Sequence, residues 1–262
     1  KSLFMCHVAS SCLLQGSNVL YITCEMAEEK IAERIDANLL DIPIQQLQDP
    51  LLTKQKYRAK MDVLKKKTQG KLVIKEYPTA SAHVGHFKAL LNELSLKKGF
   101  HPEIIFVDYL NICASSRYKG TIVNSYTYVK AIAEELRGLA GEYNVPILSA
   151  TQTTRSGYGN SNVEITDTSE SFGLPATADL MFALISTEDM EELNQIMVKQ
   201  LKNRYNDPTV YKRFVLGIDR QKMRLYDCDQ KAQQDIIDSG IEPNQFNPPK
   251  ANPAKQFDDF KI

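Results

Sequence analysis

The sequence predicts an α/β domain in which a mostly parallel sheet is covered by helices on both faces and gains antiparallel strands at one edge. Three observations lead to this prediction. Short apolar segments alternate with segments of helical periodicity. Several strand segments are apolar throughout, which is typical of strands that are buried on both faces. The last strand segments follow one another with shorter connections, as antiparallel neighbours do.

Seven strands and five longer helices are expected from these patterns. The strands are predicted at 18–23, 71–77, 103–108, 146–150, 180–185, 196–201 and 213–218. The helices are predicted near 2–15, 26–38, 52–68, 81–98 and 125–143. The fourth helix has the clearest limits, because Ser81 can cap its start and Gly99 follows two lysines at its end.

Length and composition set limits on organisation. A chain of 262 residues with 43% apolar residues can form one large domain around a single core. We expect this domain to span residues 1–238. Beyond it, Pro, Asn, Gln and Lys dominate, so residues 239–262 are expected to be a disordered tail. The first residues, Lys-Ser-Leu-Phe-Met, start an amphipathic segment without an initiator methionine, which indicates a fragment that begins inside a longer protein.

Charge and cysteine usage exclude several classes of function. Lys plus Arg and Asp plus Glu number 32 each, so any contact with a polyanion must come from local patches of the surface. The five cysteines form no CxxC pair, which argues against a zinc framework and is typical of a reducing cytosol. No apolar run approaches the length of about 18 residues that spans a bilayer. We therefore expect a cytoplasmic protein without a membrane partner.

Polar side chains follow three of the predicted strands. Glu25 comes after 19–23, Asp108 ends the apolar segment 104–107, and Gln152 comes just after 146–150. Carboxyl ends of parallel strands are where ligands bind in open α/β sheets. A carboxylate there can hold Mg²⁺ beside a phosphate, a second can polarise an attacking water, and an amide can sense a terminal phosphate. Taken alone, Asp108 could equally be a capping residue, Glu25 is more typical of a charge at a helix start, and Gln152 of an exposed turn. Three such residues in succession favour a ligand-binding site.

Two further pairs of residues are candidates for the same chemistry. Lys1 and Ser2 would complete the phosphate-binding pattern G-x-x-x-x-G-K-[ST] at the start of a helix, although the glycines are absent from this sequence. Lys202 and Arg204 lie on one side of an extended segment. They could be solvated edge charges, or in a ring of subunits they could reach a neighbour's γ-phosphate.

Five segments occur in a fixed order: ITCEM, VDYLNI, ATQTTR, SESFGLPATADL and KQLKNR. Together they resemble the hexameric replicative helicases of the DnaB family, in particular its T4-type phage members, over residues 1 to about 226. This resemblance implies a RecA-like P-loop NTPase core that is truncated at the phosphate-loop lysine. It also implies hydrolysis of ATP or GTP with Mg²⁺, movement on single-stranded DNA, and the host cytoplasm as the location if a phage encodes the chain.

The same resemblance assigns roles to individual residues. Glu25 matches the family's catalytic base, Asp108 its Walker B acid and Gln152 its phosphate sensor. Lys1 and Ser2 match the end of its phosphate loop, so Ser2 and Asp108 are expected to hold Mg²⁺. Lys202 and Arg204 match its trans-acting pair.

The family grips single-stranded DNA with the loops that follow the Walker B and sensor strands, here about 114–124 and 153–173. The DNA-contacting residues expected in them are Arg117, Lys119, Arg155, Gly157 and Gly173. The partners implied are five further copies in a homohexamer, a primase and a helicase loader. The aromatic and acidic end of the tail could also dock on a polymerase or a single-strand-binding protein.

Two other interpretations stay open from the sequence. Another RecA-like ATPase, of the recombinase or clock type, would share the sheet and the acidic strand ends. A module that keeps the core without catalysis would bind partners only.

Overall fold

The structure of the chain is a computed structural model that describes residues 1–47, 54–68, 70–118, 123–153, 173–207 and 210–228. Within these residues there are eight strands and eight α-helices. The strands are β1 Val19–Thr23, β2 Leu72–Glu76, β3 Ile104–Asp108, β4 Ile147–Ser149, β5 Leu180–Ile185, β6 Gln195–Asn203, β7 Arg213–Asp219 and β8 Arg224–Asp227. The helices are α1 Ser2–Leu14, α2 Glu28–Leu40, α3 Ile44–Leu47, α4 Lys54–Lys67, α5 Val84–Lys98, α6 Ser125–Tyr143, α7 Gly173–Thr177 and α8 Glu188–Glu192.

The first four strands form a parallel sheet in the order β2-β1-β3-β4. β1 lies between β2 and β3, and Thr23 at its end faces Glu76 on one side and Asp108 on the other. All five residues of β1 are buried, as expected for a central parallel strand whose two faces are both covered. The prediction of a parallel sheet in the first part of the chain is confirmed.

Helices cover both faces of this sheet, each with its own apolar cluster. On one face, α1 and α2 pack against β1 and β3 around the stacked rings of Tyr21 and Phe106, whose centroids are 5.6 Å apart. On the other face, α5 and α6 pack against the alternate residues of the same strands, with Phe87 and Ile132 fully buried. Because α1 and α6 both pack on β3, the end of β3 is held from two sides.

The last four strands form an antiparallel sheet in the order β5-β6-β7-β8. Their hydrogen-bonded ladder is separate from the parallel one, and β8 was not predicted from the sequence. The turn before β8 packs on the helix layer formed by α1 and α2. The Asn38 side chain donates a hydrogen bond to the Met223 carbonyl, and Arg224 forms an ion pair of 2.7 Å with Asp41.

The cap of α5 differs from the prediction. The capping residue is His83 and not Ser81, because the helix begins later than expected. The His83 ring accepts a hydrogen bond from the Gly85 amide at 3.0 Å, and the His86 ring accepts one from the His83 amide at 3.2 Å. The two histidines thus satisfy free amide groups at the start of the helix. Ser81 instead donates its hydroxyl hydrogen to the Pro78 carbonyl.

The predicted tail at 239–262 lies outside the described residues. Among the described helices, none combines the length and the apolar character that crossing a bilayer requires.

Candidate functional site

The structure brings the three predicted strand-end residues to one edge of the parallel sheet. Thr23 lies opposite Asp108 in the ladder between β1 and β3, and the Cys24 amide extends it by donating to the Asp108 carbonyl at 2.9 Å. Glu25 follows directly and is exposed to solvent. β4 lies on the other side of β3, so Gln152 leaves the sheet at the same edge. The carboxyl ends of three neighbouring strands therefore present two acids and an amide together.

Asp108 is fully buried and is oriented by Tyr21 of the adjacent strand. The Tyr21 hydroxyl donates a hydrogen bond of 2.9 Å to Oδ2 of Asp108. Burial raises the pKa of Tyr21, and the neighbouring Cys6 and Asp108 raise it further. Tyr21 therefore remains a hydrogen-bond donor across the physiological pH range, and it fixes the rotamer of the carboxylate.

The second carboxylate oxygen of Asp108 fits a metal ligand. Oδ1 is buried, and it has no hydrogen-bond partner among the described residues. A buried carboxylate oxygen without a partner costs free energy unless a cation or a water binds it. Mg²⁺ prefers such oxygen ligands. Ser2, the first residue of α1, is half-buried and offers a hydroxyl oxygen.

The ring of Tyr109 lies between several of the predicted residues. The ammonium of Lys1, the residue that precedes α1, lies 3.7 Å from the centroid of the Tyr109 ring. The side-chain amide of Gln152 donates to the Tyr109 hydroxyl over 3.4 Å. Burial raises the pKa of Tyr109, and the charge of Glu25 raises it further. Lys1 and Gln152 thus both contact one aromatic side chain at the edge of the sheet.

Lys202 and Arg204 lie apart from this group, at the end of β6 in the antiparallel sheet. The Lys202 ammonium donates to the Pro175 carbonyl at 2.6 Å and to the Ala176 carbonyl at 3.3 Å. The Arg204 guanidinium pairs with Asp179 and donates to the Ala176 carbonyl. Burial lowers the pKa of Lys202, and the charge of Arg204 lowers it further. Both cations are therefore held by their own chain, on a different sheet from Asp108.

The loop after β3 is fixed at its start by Glu135 of α6. The Glu135 carboxylate accepts hydrogen bonds from the Ser115 hydroxyl at 2.7 Å, the Ser116 hydroxyl at 2.8 Å and the Ser116 amide at 2.9 Å. The Arg117 guanidinium pairs with Glu134, the preceding residue of α6, and about half of its side chain remains exposed. Of the two predicted DNA contacts in this loop, Arg117 lies within the described residues.

The remaining predicted DNA contacts belong to the same two loops. Gly173 begins α7 and is buried, and its carbonyl accepts a hydrogen bond from the Thr177 hydroxyl at 2.9 Å. Lys119, Arg155 and Gly157 lie outside the described residues.

Three residues of this region were not singled out from the sequence: Tyr21, Tyr109 and Glu135. Tyr21 resembles the other apolar residues of β1, and nothing in the sequence shows that it reaches Asp108. Tyr109 could have been noticed because it directly follows the acid. Glu135 could have been recognised most easily from the sequence. It follows Ile132 by three positions, so it is an acidic residue on the apolar face of α6 and needs a partner there.

We expect the Glu135→Gln substitution to lower the free energy of unfolding at pH 7 by about 1.5–3 kcal/mol, as is typical of a lost hydrogen bond to a charged group. Burial alone would raise the pKa of Glu135, but the hydrogen bonds from Ser115 and Ser116 lower it overall. A carboxyl group with a lowered folded pKa stabilises the protein above its unfolded pKa, and this contribution is lost as the pH falls through the folded value. Urea unfolding of both proteins from pH 7 to pH 3 measures the difference.

The matched control is Glu134→Gln, because the neighbouring Glu134 forms solvent-accessible ion pairs with Arg117 and Lys130. Its effect should stay below about 1 kcal/mol. A difference between wild type and Glu135→Gln that persists unchanged at pH 3 would contradict the proposed contribution of the carboxylate.

Comparison with protein families identifies one that matches most of the chain. The model of the DnaB-like helicase C-terminal domain matches residues 1–213. The DnaB-like replicative helicase of Enterobacteria phage T4 is 45% identical over 231 residues, which are 88% of this chain and 49% of that protein. A probable plasmid replicative DNA helicase of Chlamydia psittaci is 26% identical over 213 residues, 78% of this chain and 44% of that protein. The chain spans less than half the length of these curated relatives.

Solved structures with the same fold agree with this match. A DnaB-like replicative helicase, studied with its primase interactions, superposes with a TM-score of 0.70 at 16% identity, over 87% of this chain and 54% of that one. A second solved structure, an isolated ATPase domain, superposes with a TM-score of 0.71, also at 16% identity, over 87% of this chain and 81% of that domain. At this identity the likeness establishes the fold alone, a RecA-like α/β core.

Proposed function

This chain belongs to the family of DnaB-like helicase C-terminal domains, and from that membership we propose that it is the motor of a replicative DNA helicase. In this proposal, hydrolysis of a nucleoside triphosphate at subunit interfaces drives movement along single-stranded DNA and unwinds the duplex. The observation that supports it most is the convergence of Lys1, Glu25, Asp108 and Gln152 at one edge of the parallel sheet. A catalytic triphosphate site needs these four kinds of group together.

Each residue has one task in the proposed mechanism. Lys1 binds the β- and γ-phosphate oxygens, and Gln152 contacts the γ-phosphate. Glu25 accepts a proton from the water that attacks the γ-phosphorus, and its exposed position leaves room for that water. The bond between the γ-phosphorus and the bridging oxygen then breaks, and the diphosphate departs.

Ser2 and Asp108 would hold Mg²⁺. A bound ion would supply positive charge to neutralise the phosphate oxygens. Tyr21 contributes by keeping Oδ2 of Asp108 in a fixed position, which leaves Oδ1 outside that hydrogen bond. ATP or GTP is the proposed substrate.

The site is completed by a second copy of the chain. Lys202 lies on β6 and Arg204 directly follows it, and in this proposal they serve as the trans-acting pair for the neighbouring subunit in a homohexamer. Arg117 and Gly173 would neutralise or approach the phosphates of the DNA, together with Lys119, Arg155 and Gly157 from outside the described residues. A primase is a proposed partner by analogy with the solved relative, together with a helicase loader and a polymerase or single-strand-binding protein, in the host cytoplasm.

The rival interpretations differ in their expected behaviour. A recombinase-type ATPase would form filaments on DNA, and a passive module would not hydrolyse triphosphates. No observation on the described residues favours either of them.

NTPase assays of the full chain, with and without single-stranded DNA, test the proposal. We expect magnesium-dependent hydrolysis of ATP or GTP that single-stranded DNA stimulates strongly, because the DNA loops begin close to Asp108 and Gln152, just past β3 and β4. Absence of hydrolysis under both conditions, in a protein that is folded and binds nucleotide, would contradict it.

A further inference from the structure

Tyr109 links two residues that belong to different parts of the site. It directly follows Asp108 at the end of β3, and its backbone is extended. The face of its ring contacts the Lys1 ammonium at 3.7 Å, and its hydroxyl accepts a hydrogen bond from the Gln152 amide at 3.4 Å. Lys1 precedes α1 and Gln152 follows β4, so one side chain connects two elements that are distant in the sequence.

The two contacts use different parts of the same side chain. An aromatic face attracts a cation because of its quadrupole, and this attraction needs the ring but not the hydroxyl. The contact with Gln152 needs the hydroxyl oxygen. The ring and the hydroxyl can therefore be removed separately by substitution.

We propose that Tyr109 is a positioning residue that holds the Lys1 ammonium at the edge of the sheet and joins it to the Gln152 amide. The ring places the ammonium where the phosphates bind. The hydroxyl places the amide beside it, so the two groups that contact the terminal phosphate share one rigid support. This inference rests on the proposed function, because it assigns Lys1 and Gln152 to the same triphosphate.

Two substitutions separate these roles. Tyr109→Phe keeps the ring and removes the hydroxyl, so KM for the triphosphate should stay within about twofold while kcat falls about 3- to 10-fold, the effect of one lost hydrogen bond. Tyr109→Leu removes both, so KM should also rise about 3- to 10-fold, the effect of a lost cation–π contact. Steady-state kinetics of the full chain measure both constants, and Tyr226→Phe and Tyr226→Leu, at an exposed position of β8, are the matched controls.

A double-mutant cycle distinguishes positioning from a structural role. If Tyr109 acts through Gln152, then adding Tyr109→Phe to Gln152→Ala should lower kcat little further, because the hydrogen bond is already gone. Additive losses in the double variant would overturn the proposal. So would wild-type KM and kcat in both Tyr109 variants.

The wild-type control separates this inference from the function on which it rests. A folded wild-type chain without triphosphate hydrolysis would overturn the proposed function, and with it the role of Tyr109. An active wild type with unaffected Tyr109 variants would overturn only the inference. Thermal unfolding of each variant shows whether Tyr109→Leu has folded; if it has not, Tyr109→Phe and the double-mutant cycle decide.

Discussion

Replacing Glu25 by Gln is expected to leave nucleotide affinity within about twofold of wild type and to lower turnover about 10²- to 10⁴-fold, the usual contribution of a general base. Glutamine keeps the size and a hydrogen-bonding oxygen of the side chain but cannot accept the proton of the attacking water. Glu25 is exposed at the end of β1, beyond the pairing of Thr23 with Asp108, so the substitution disturbs no buried side chain. Nucleotide binding and single-turnover hydrolysis should be measured on the same preparation.

The control for this substitution is Glu29→Gln. Glu29 lies in the first turn of α2, four residues from Glu25, and it is likewise exposed. Its substitution removes the same charge from the same region, so a purely electrostatic loss of phosphate or magnesium binding would appear in both variants. We expect turnover near wild type for Glu29→Gln. Full activity of Glu25→Gln would show that Glu25 is not the catalytic base.

Substitution of Arg204 by Ala should lower turnover roughly 10³-fold, the lower end of the effect of an arginine finger. The fold should persist, because Asp179, its ion-pair partner, is also bound by Arg137 at 2.8 Å. The matched control is Arg220→Ala, which removes an exposed arginine after β7 whose guanidinium donates to the neutral side chain of Asn194. NTPase assays in the presence of single-stranded DNA measure the loss.

Mixing experiments test whether Arg204 acts on a neighbour. In the proposed homohexamer, a mixture of Glu25→Gln and Arg204→Ala subunits would contain some interfaces with an intact Glu25 from one subunit and an intact Arg204 from the next. If the two residues act across an interface, the mixture should hydrolyse more triphosphate than either variant alone. Activity of the mixture equal to the mean of the two inactive variants would place both residues in the same subunit's site.

Much of the sheet could be predicted because its strands carry a strong local signal. β1 and β3 are continuous apolar segments, as is typical of strands that are buried on both faces of a parallel sheet between two layers of helices. Once these strands are adjacent and parallel, their carboxyl ends must meet at one edge. The positions of Glu25, Asp108 and Gln152 in the fold follow from this geometry, whereas their roles stay predictions until the variants are measured.

Contacts between residues distant in the sequence could not be predicted in the same way. The contact of Tyr21 with Asp108 spans 87 residues, and that of Tyr109 with Gln152 spans 43. Both depend on the register of strands and on side-chain rotamers, which local patterns do not specify. β8 is only four residues long and lies in a polar segment. Its strand conformation depends on its pairing with β7, which its own composition does not indicate.

The start of α5 shows a different limit. Ser81 satisfies the usual preference for a helix cap, yet the helix begins after His83, because the two histidine rings satisfy the free amides instead. A capping preference ranks residue types on average, and a specific pair of side chains can outweigh it.

The most direct measurement is an experimental structure of the full chain with Mg²⁺ and a non-hydrolysable triphosphate analogue. It should show the γ-phosphate within hydrogen-bond reach, about 3 Å, of both the Lys1 ammonium and the Gln152 amide, with a water between the phosphorus and Glu25. The metal should bind Oδ1 of Asp108. A triphosphate bound elsewhere on the chain, or bound at this edge without contact to these side chains, would contradict the assignment of the site.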